Sequence, residues 1–233
     1  CSFFPIHDLK IDLLKKMGSN GSGVKIAILD SGISAESKAF TKNGTNIVNW
    51  QNFTAEGNLN IQKTEILQNG LLKGKYGTIK IGKILSDDGN YYVGALEEAK
   101  LKDNPYLEFV DFNNDGDSTD RFDVVILKKK SAYVAYFDTN DDSNIEDESA
   151  VKDYNDSFEL LKVGNRKFPL IINKENGSLL SAHIGFDSIG HGTGIATIIA
   201  GKDPLGIGID GIAPEAQLLA IKIYSSKTSI DII

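Results

Sequence analysis

The sequence is poor in the features that mark several common classes of protein. It has a single cysteine, Cys1, so no internal disulfide can form. No apolar run approaches the roughly 18 residues of a membrane span, and no signal-peptide pattern is present. It has no Lys/Arg-rich stretch that would bind phosphates, and its formal net charge is -7. We therefore expect no disulfide scaffold, no membrane span and no nucleic-acid partner.

The position of Cys1 at the start of the chain has two interpretations. A chain that begins with Cys rather than Met indicates a processed form or a cut segment. Cys1 could carry a lipid anchor, as the first residue of a bacterial lipoprotein does, or a boundary could simply fall there. We prefer the second interpretation.

Two regions of α/β character, one near each end of the chain, contain predicted strands and a helix. Residues 23–30 and 217–223 are short, apolar and β-branched runs, which are typical of strands buried in a parallel sheet. Residues 191–201 have helical apolar spacing at Ile195, Ile198 and Ile199, and end at a glycine. With 233 residues and 41% apolar residues, we predict one large α/β domain whose core is divided between residues 1–52 and 179–233.

Residues 53–178, called the insertion below, have a different character. They are polar, rich in Asn, Asp and Gly, and broken into short alternating runs separated by turn-forming residues. This pattern predicts a mostly antiparallel β module. Its predicted strands are 76–84, 91–96, 122–127, 132–137 and 168–172.

Three segments at the ends of the chain carry the chemistry. They are ILDSGI at 28–33, IGHGTGIATIIAG at 189–201 and GIAPEAQLLAIKI at 211–223. Each alone is a weak signal, because Asp-Ser-Gly also follows strands in aspartic proteases and Gly-His-Gly-Thr could be a glycine-rich turn. In this order, and in these strand and helix contexts, the three closely resemble the subtilase family of serine proteases.

This resemblance implies a fold and a reaction. The fold is the subtilisin-like three-layer α/β fold with a parallel sheet, here incomplete and interrupted by the insertion. The reaction is proteolysis of polypeptide substrates by an Asp-His-Ser triad, to which this chain contributes Asp30 and His191. A Ser hydroxyl needs an imidazole to take its proton, and the imidazole needs a carboxylate to fix its tautomer. Alternatively, Asp30 caps a turn and His191 only starts a helix, but the three segments together favour catalysis.

The sequence departs from the family pattern in its missing nucleophile. It contains no Gly-Thr-Ser segment that would hold the catalytic Ser, and the oxyanion-hole Asn cannot be placed. We expect this chain alone to be inactive, and the full-length form to be a serine endopeptidase or tripeptidyl peptidase. The alternatives are a non-catalytic subtilase-like chaperone or binding protein, and a calcium-binding β-rich surface module.

The long insertion is the second departure. Asp30 and His191 are 161 positions apart, whereas ordinary subtilases separate them by a few tens. Residues 121–155 resemble the corresponding region of tripeptidyl peptidase II and pyrolysin-like subtilases, with an apolar strand pair followed by an acidic loop. The family resemblance implies secretion or the cell surface, and the tripeptidyl peptidase resemblance permits the cytoplasm.

Two acidic runs in the insertion are candidate calcium loops. Each places carboxylate or amide oxygens at alternate positions, the arrangement in which Ca²⁺ gathers several hard oxygen ligands. Phe122 occupies the position of the final Glu of an EF-hand, so the first loop is not a standard EF-hand. A solvated acidic hairpin is the alternative for both. The candidate ligands of a structural Ca²⁺ are Asp111, Asn113, Asp115, Asp117 and Asp120 in the first loop, and Asp138, Asn140 and Asp142 in the second.

Overall fold

The structure, a computed structural model, describes residues 10–41, 44–100, 111–113, 115–203, 206 and 210–225. Cys1, the residue of the lipid-anchor hypothesis, lies outside these ranges. Within them, no helix has both the length and the apolar character needed to cross a bilayer.

The described residues form four helices and fourteen strands. The helices are α1 (Ile11–Lys16), α2 (Lys38–Thr41), α3 (Tyr154–Ser157) and α4 (His191–Ala200). The strands are β1 (Lys25–Asp30), β2 (Ile47–Asn52), β3 (Gln62–Thr64), β4 (Ile66–Leu67), β5 (Leu71–Lys73), β6 (Thr78–Lys80), β7 (Tyr91–Glu97), β8 (Arg121–Lys129), β9 (Ala132–Phe137), β10 (Val151–Lys152), β11 (Leu160–Val163), β12 (Arg166–Glu175), β13 (Ser178–Ile184) and β14 (Gln217–Lys222).

A three-stranded parallel sheet forms the α/β part of the fold. Its strand order is β1-β14-β2, so the two strands predicted at the ends of the chain lie side by side. The register places Asp30 opposite Lys222. The predicted α/β fold with a parallel sheet is therefore confirmed, and the site residue Asp30 stands at the carboxyl end of β1.

Strand β2 was not predicted, because its sequence IVNWQN mixes apolar and amide side chains without a clear period. Trp50 on this strand is fully buried, and its indole N–H donates to the carbonyl of Ile33 at 3.0 Å. The Asn155 side chain bonds both main-chain groups of Trp50, accepting from its N–H at 2.7 Å and donating to its carbonyl at 3.0 Å. The side chain of Asn155, in the insertion, thus satisfies main-chain hydrogen-bonding groups at the edge of β2.

Helix α4 packs on the sheet through its smallest residues. Gly192, Ala196 and Ala200 are buried, whereas Ile198 is 49% exposed. A Cβ at position 192 would overlap the Gly32 carbonyl oxygen. The most buried positions of α4 are thus its small residues, because close approach of helix and sheet requires small side chains, while Ile195 and Ile199 pack partly buried against the same cluster.

The described residues of the insertion, together with β13 just beyond it, form three antiparallel sheets, as the alternating pattern predicts. Their strand orders are β10-β9-β8-β7-β3, β11-β12-β13 and β4-β5-β6. The strand predicted at 76–84 is shorter, since only Thr78–Lys80 pairs. Tyr154 and Ile171 of the insertion share one buried cluster with Trp50 and Leu218. The boundaries at 52/53 and 178/179 stay a prediction. Apolar packing crosses the first of them, and the pairing of β12 with β13 crosses the second.

Candidate active site

Asp30 and His191, which are far apart in the chain, meet in a direct contact. The ring Nδ1 of His191 lies 2.9 Å from Oδ1 and 2.8 Å from Oδ2 of Asp30. The Asp30 side chain is 13% exposed and the imidazole is 65% exposed. Because Nδ1 faces the carboxylate, Nε2 is the nitrogen that can exchange a proton with a reacting group.

Local structure explains why the two side chains meet. Asp30 ends β1, at the edge of a parallel sheet where functional groups of α/β proteins gather. The Ser31 N–H donates to Asp30 Oδ1 at 2.7 Å and fixes one carboxylate oxygen. Gly190 adopts a φ of 83°, a left-handed conformation that suits glycine, immediately before α4 begins at His191.

Asp187 holds the two segments together, and the sequence reasoning missed it. Its Oδ1 accepts from the Ser31 hydroxyl at 2.7 Å and from the Gly190 N–H at 2.8 Å, and its Oδ2 accepts from the Thr193 N–H at 2.8 Å. The Thr193 hydroxyl oxygen in turn accepts from the Ser34 N–H at 3.0 Å. Asp187 therefore accepts from the first turn of α4 and ties it to the turn after β1. An acidic residue just before a helix was the available signal.

The two side chains shift each other's titration. Burial pushes the pKa of Asp30 upward, but the hydrogen bonds from Ser31 and His191 outweigh it, so the pKa is lowered. The hydrogen bond to Asp30, with the attraction of its charge, raises the pKa of His191 above the ordinary 6.5. The carboxylate is thus ionised at neutral pH and stabilises a positive imidazolium.

The first acidic loop folds around its own carboxylates. Asp111 accepts from the N–H groups of Asp115 at 3.2 Å and Gly116 at 3.0 Å, and Asn113 Oδ1 also accepts from Asp115 at 3.2 Å. Asp115 Oδ1 accepts from the Asp117 N–H at 3.2 Å. Three of the predicted ligands, Asp111, Asn113 and Asp115, thus accept within one tight turn, and Asp117 contributes its N–H to it.

The second loop repeats this pattern. Asp138 accepts from the N–H groups of Asp142 at 3.1 Å and Ser143 at 2.8 Å, and Asn140 Oδ1 accepts from Asp142 at 3.4 Å. Ser143 stands where the first loop has Gly116, and both have positive φ, 59° and 108°. The two loops therefore share this hydrogen-bond pattern despite the missing glycine.

A buried glutamate joins the first loop. One carboxylate oxygen each of Glu98, Asp117 and Asp120 lies within 4.8 Å of the others. Glu98 is fully buried, and burial raises its pKa to about 7 although N–H groups of Phe112 and Asp120 oppose this. These hard oxygen donors suit Ca²⁺. Glu98 was missed because it precedes the loop by many residues and only the fold brings it close.

Comparison with known proteins gives the family. The model of the subtilase family, peptidase family S8, matches residues 21–233, and the chain belongs to this family. It is 25% identical over 281 residues to pyrolysin from Pyrococcus furiosus, covering 93% of this chain and 19% of pyrolysin. Its fold is similar to a crystal structure of tripeptidyl peptidase 2 (TPP II), with a TM-score of 0.66, 16% identity, and coverage of 92% of this chain and 21% of that one.

Pyrolysin and tripeptidyl peptidase II are the two kinds of subtilase to which residues 121–155 were compared. The predicted resemblance to them is therefore confirmed. The chain spans about a fifth of the length of each.

Proposed function

We propose that the protein is a serine-type peptidase, an endopeptidase or tripeptidyl peptidase, in which Asp30 and His191 serve an Asp-His-Ser triad. The observation that carries this proposal is the contact of His191 Nδ1 with the Asp30 carboxylate at the carboxyl end of β1. Membership of a peptidase family supports polypeptides as substrates.

The roles of the two residues follow from this contact. His191 Nε2 takes the proton of a Ser hydroxyl as that oxygen attacks the peptide carbonyl, and later gives the proton to the leaving amine. Asp30 holds the proton on Nδ1, so that Nε2 is the free basic nitrogen, and stabilises the imidazolium that forms. Family habit supports secretion or the cell surface as the location.

The nucleophile is tested by a covalent probe. We expect a fluorophosphonate to label the full-length natural protein at a single Ser and to stop peptide hydrolysis in proportion to labelling. The 233-residue chain, which has no Gly-Thr-Ser segment, is expected to stay unlabelled and inactive. Hydrolysis that persists in the fully labelled protein would contradict a serine mechanism. Labelling of the 233-residue chain would contradict its proposed inactivity.

We further propose that the acidic loops bind structural Ca²⁺. Their oxygen-rich lining, the matching turns around Asp111 and Asp138, and the buried Glu98 beside Asp117 support this. The ion would neutralise carboxylates that otherwise repel one another, and so stiffen the insertion.

Calcium is therefore expected to stabilise the protein against heat. At a free concentration about 100 times Kd, binding to the folded state adds about 2.7 kcal/mol, which raises Tm by about 5–10 °C for a chain of this size. Differential scanning calorimetry with calcium and with chelator measures the shift. Asp115→Asn and Asp142→Asn, made separately, assign it to the first or second loop. Identical melting curves, with no heat of binding in titration calorimetry, would overturn the calcium proposal.

A further inference from the structure

A lysine lies fully buried beside the Asp30–His191 pair. Lys222 is the last residue of β14 and stands opposite Asp30 in the sheet register. None of its side chain is exposed. Its ammonium is within 3.0 Å of Glu56 Oε2, so the two charges form a buried ion pair.

The remaining contacts of this ammonium join the two segments that carry the pair. It donates to the Ser31 carbonyl at 2.6 Å, directly after Asp30. It also donates to the Ser188 hydroxyl at 3.1 Å and to the Phe186 carbonyl at 3.3 Å, on the segment that leads to His191. One cation therefore fixes the distance between the end of β1 and the approach to α4.

Glu56 is held in place by its own turn at the start of the insertion. The Asn52 side chain donates to the Glu56 carbonyl at 2.6 Å, and the Thr54 hydroxyl oxygen accepts from the Glu56 N–H at 3.2 Å. Glu56 is only 5% exposed. The carboxylate is thus presented to Lys222 by a turn whose polar groups are themselves bonded.

The chemistry of burial explains why this residue does more than fill space. Burial lowers the pKa of Lys222, and the nearby carboxylate of Glu56 opposes that effect. A buried ion pair often contributes less to stability than apolar residues of the same volume. An apolar side chain, however, cannot bond the carbonyls of Ser31 and Phe186. The charged ammonium therefore contributes mainly by holding two main-chain segments in a fixed relative position, rather than by adding stability.

We propose that Lys222 is a positioning residue for Asp30 and His191, and that Glu56 holds its ammonium in place. This inference rests on the proposed peptidase function. Lys222 acts through the Ser31 turn and the 186–188 segment. The insertion thereby contributes a charge to the alignment of the triad. A displacement of about 1 Å in such a site can lower the rate by about 100-fold.

The test uses the full-length protein and kcat expressed per active site titrated with fluorophosphonate. For Lys222→Met we expect kcat per titrated site to fall by about 10- to 100-fold, with KM nearly unchanged. A residue that only stabilises the fold would reduce the number of titrated sites and leave kcat per site as it was. Glu56→Gln, which keeps an oxygen acceptor, is expected to lower kcat less. The double variant should be no worse than Lys222→Met, because both residues act through one contact.

Lys202→Met is the matched control, because it also removes a lysine ion pair, to Glu215 at 3.3 Å, at the far end of α4. Its kcat per site should equal that of the wild type. Unchanged kcat per site in Lys222→Met would overturn the inference. If Lys222→Met does not fold, Glu56→Gln replaces it in the test, and an unchanged kcat per site in Glu56→Gln overturns the inference. His191→Ala is measured in parallel. If His191→Ala retains activity, the proposed peptidase function is contradicted, whereas an effect of Lys222→Met alone concerns only the positioning role.

Discussion

Replacement of His191 by Ala in the full-length protein is expected to lower kcat by about six orders of magnitude. Without the imidazole, no group takes the proton of the Ser hydroxyl or returns one to the leaving amine, and only binding and oxyanion stabilisation remain. KM should change little, because the proposed role of His191 is proton transfer rather than binding. Steady-state hydrolysis of a chromogenic peptide, extended to long incubation for the variant, measures the loss.

His183→Ala is the natural control for this experiment. His183 is buried on β13, where burial lowers its pKa, and its Nε2 lies 3.2 Å from the Ser181 hydroxyl. Its removal should affect stability and leave kcat per titrated site unchanged. If His191→Ala kept the wild-type rate, His191 would have no part in the mechanism.

Asp30→Asn is expected to lower kcat by about four orders of magnitude. An amide that donates to Nδ1 favours the tautomer with the proton on Nε2, which is the wrong nitrogen for a general base. The change also removes the negative charge that raises the pKa of His191.

The pH profile distinguishes this loss from simple damage to the fold. The general base must be neutral, so the acid limb of kcat/KM follows the pKa of His191. In the wild type we expect this limb at higher pH than for an ordinary imidazole, because Asp30 raises that pKa. In Asp30→Asn it should move to lower pH, toward the ordinary value of imidazole. A variant with reduced rate but an unmoved acid limb would argue against the pairing of the two residues.

The sequence could predict the residues that stand in short, ordered motifs. The strand that ends in Asp30, the glycine-flanked His191 and the strand 217–222 all carry local patterns, and the structure has these elements where they were expected. The antiparallel strands 91–97 and 132–137 could be predicted equally well, because the alternation of apolar and polar residues is a local property of the sequence.

The residues that the sequence reasoning missed are those whose roles depend on distant partners. Glu56 and Lys222 are ordinary surface types until the fold buries them together. Glu98 stands outside the acidic run that it joins. In α4, the sequence showed the helical spacing of the isoleucines, but not that the close approach of Gly192 to Gly32 makes the small residues the most buried ones. Such choices are made by three-dimensional packing, which a single sequence does not display.

The strand order of the parallel sheet has a consequence for how the protein folds. Strand β1 pairs with β14, which is the last described strand of the chain, so β1 cannot pair until nearly the whole described chain has been made. Contacts of such long sequence separation carry a large loop-closure cost and form slowly, whereas the hairpin of β8 and β9 is local. During synthesis the insertion can therefore fold before β1 finds its partner. The contact between Asp30 and His191 would then form late, after the local strand pairs of the insertion.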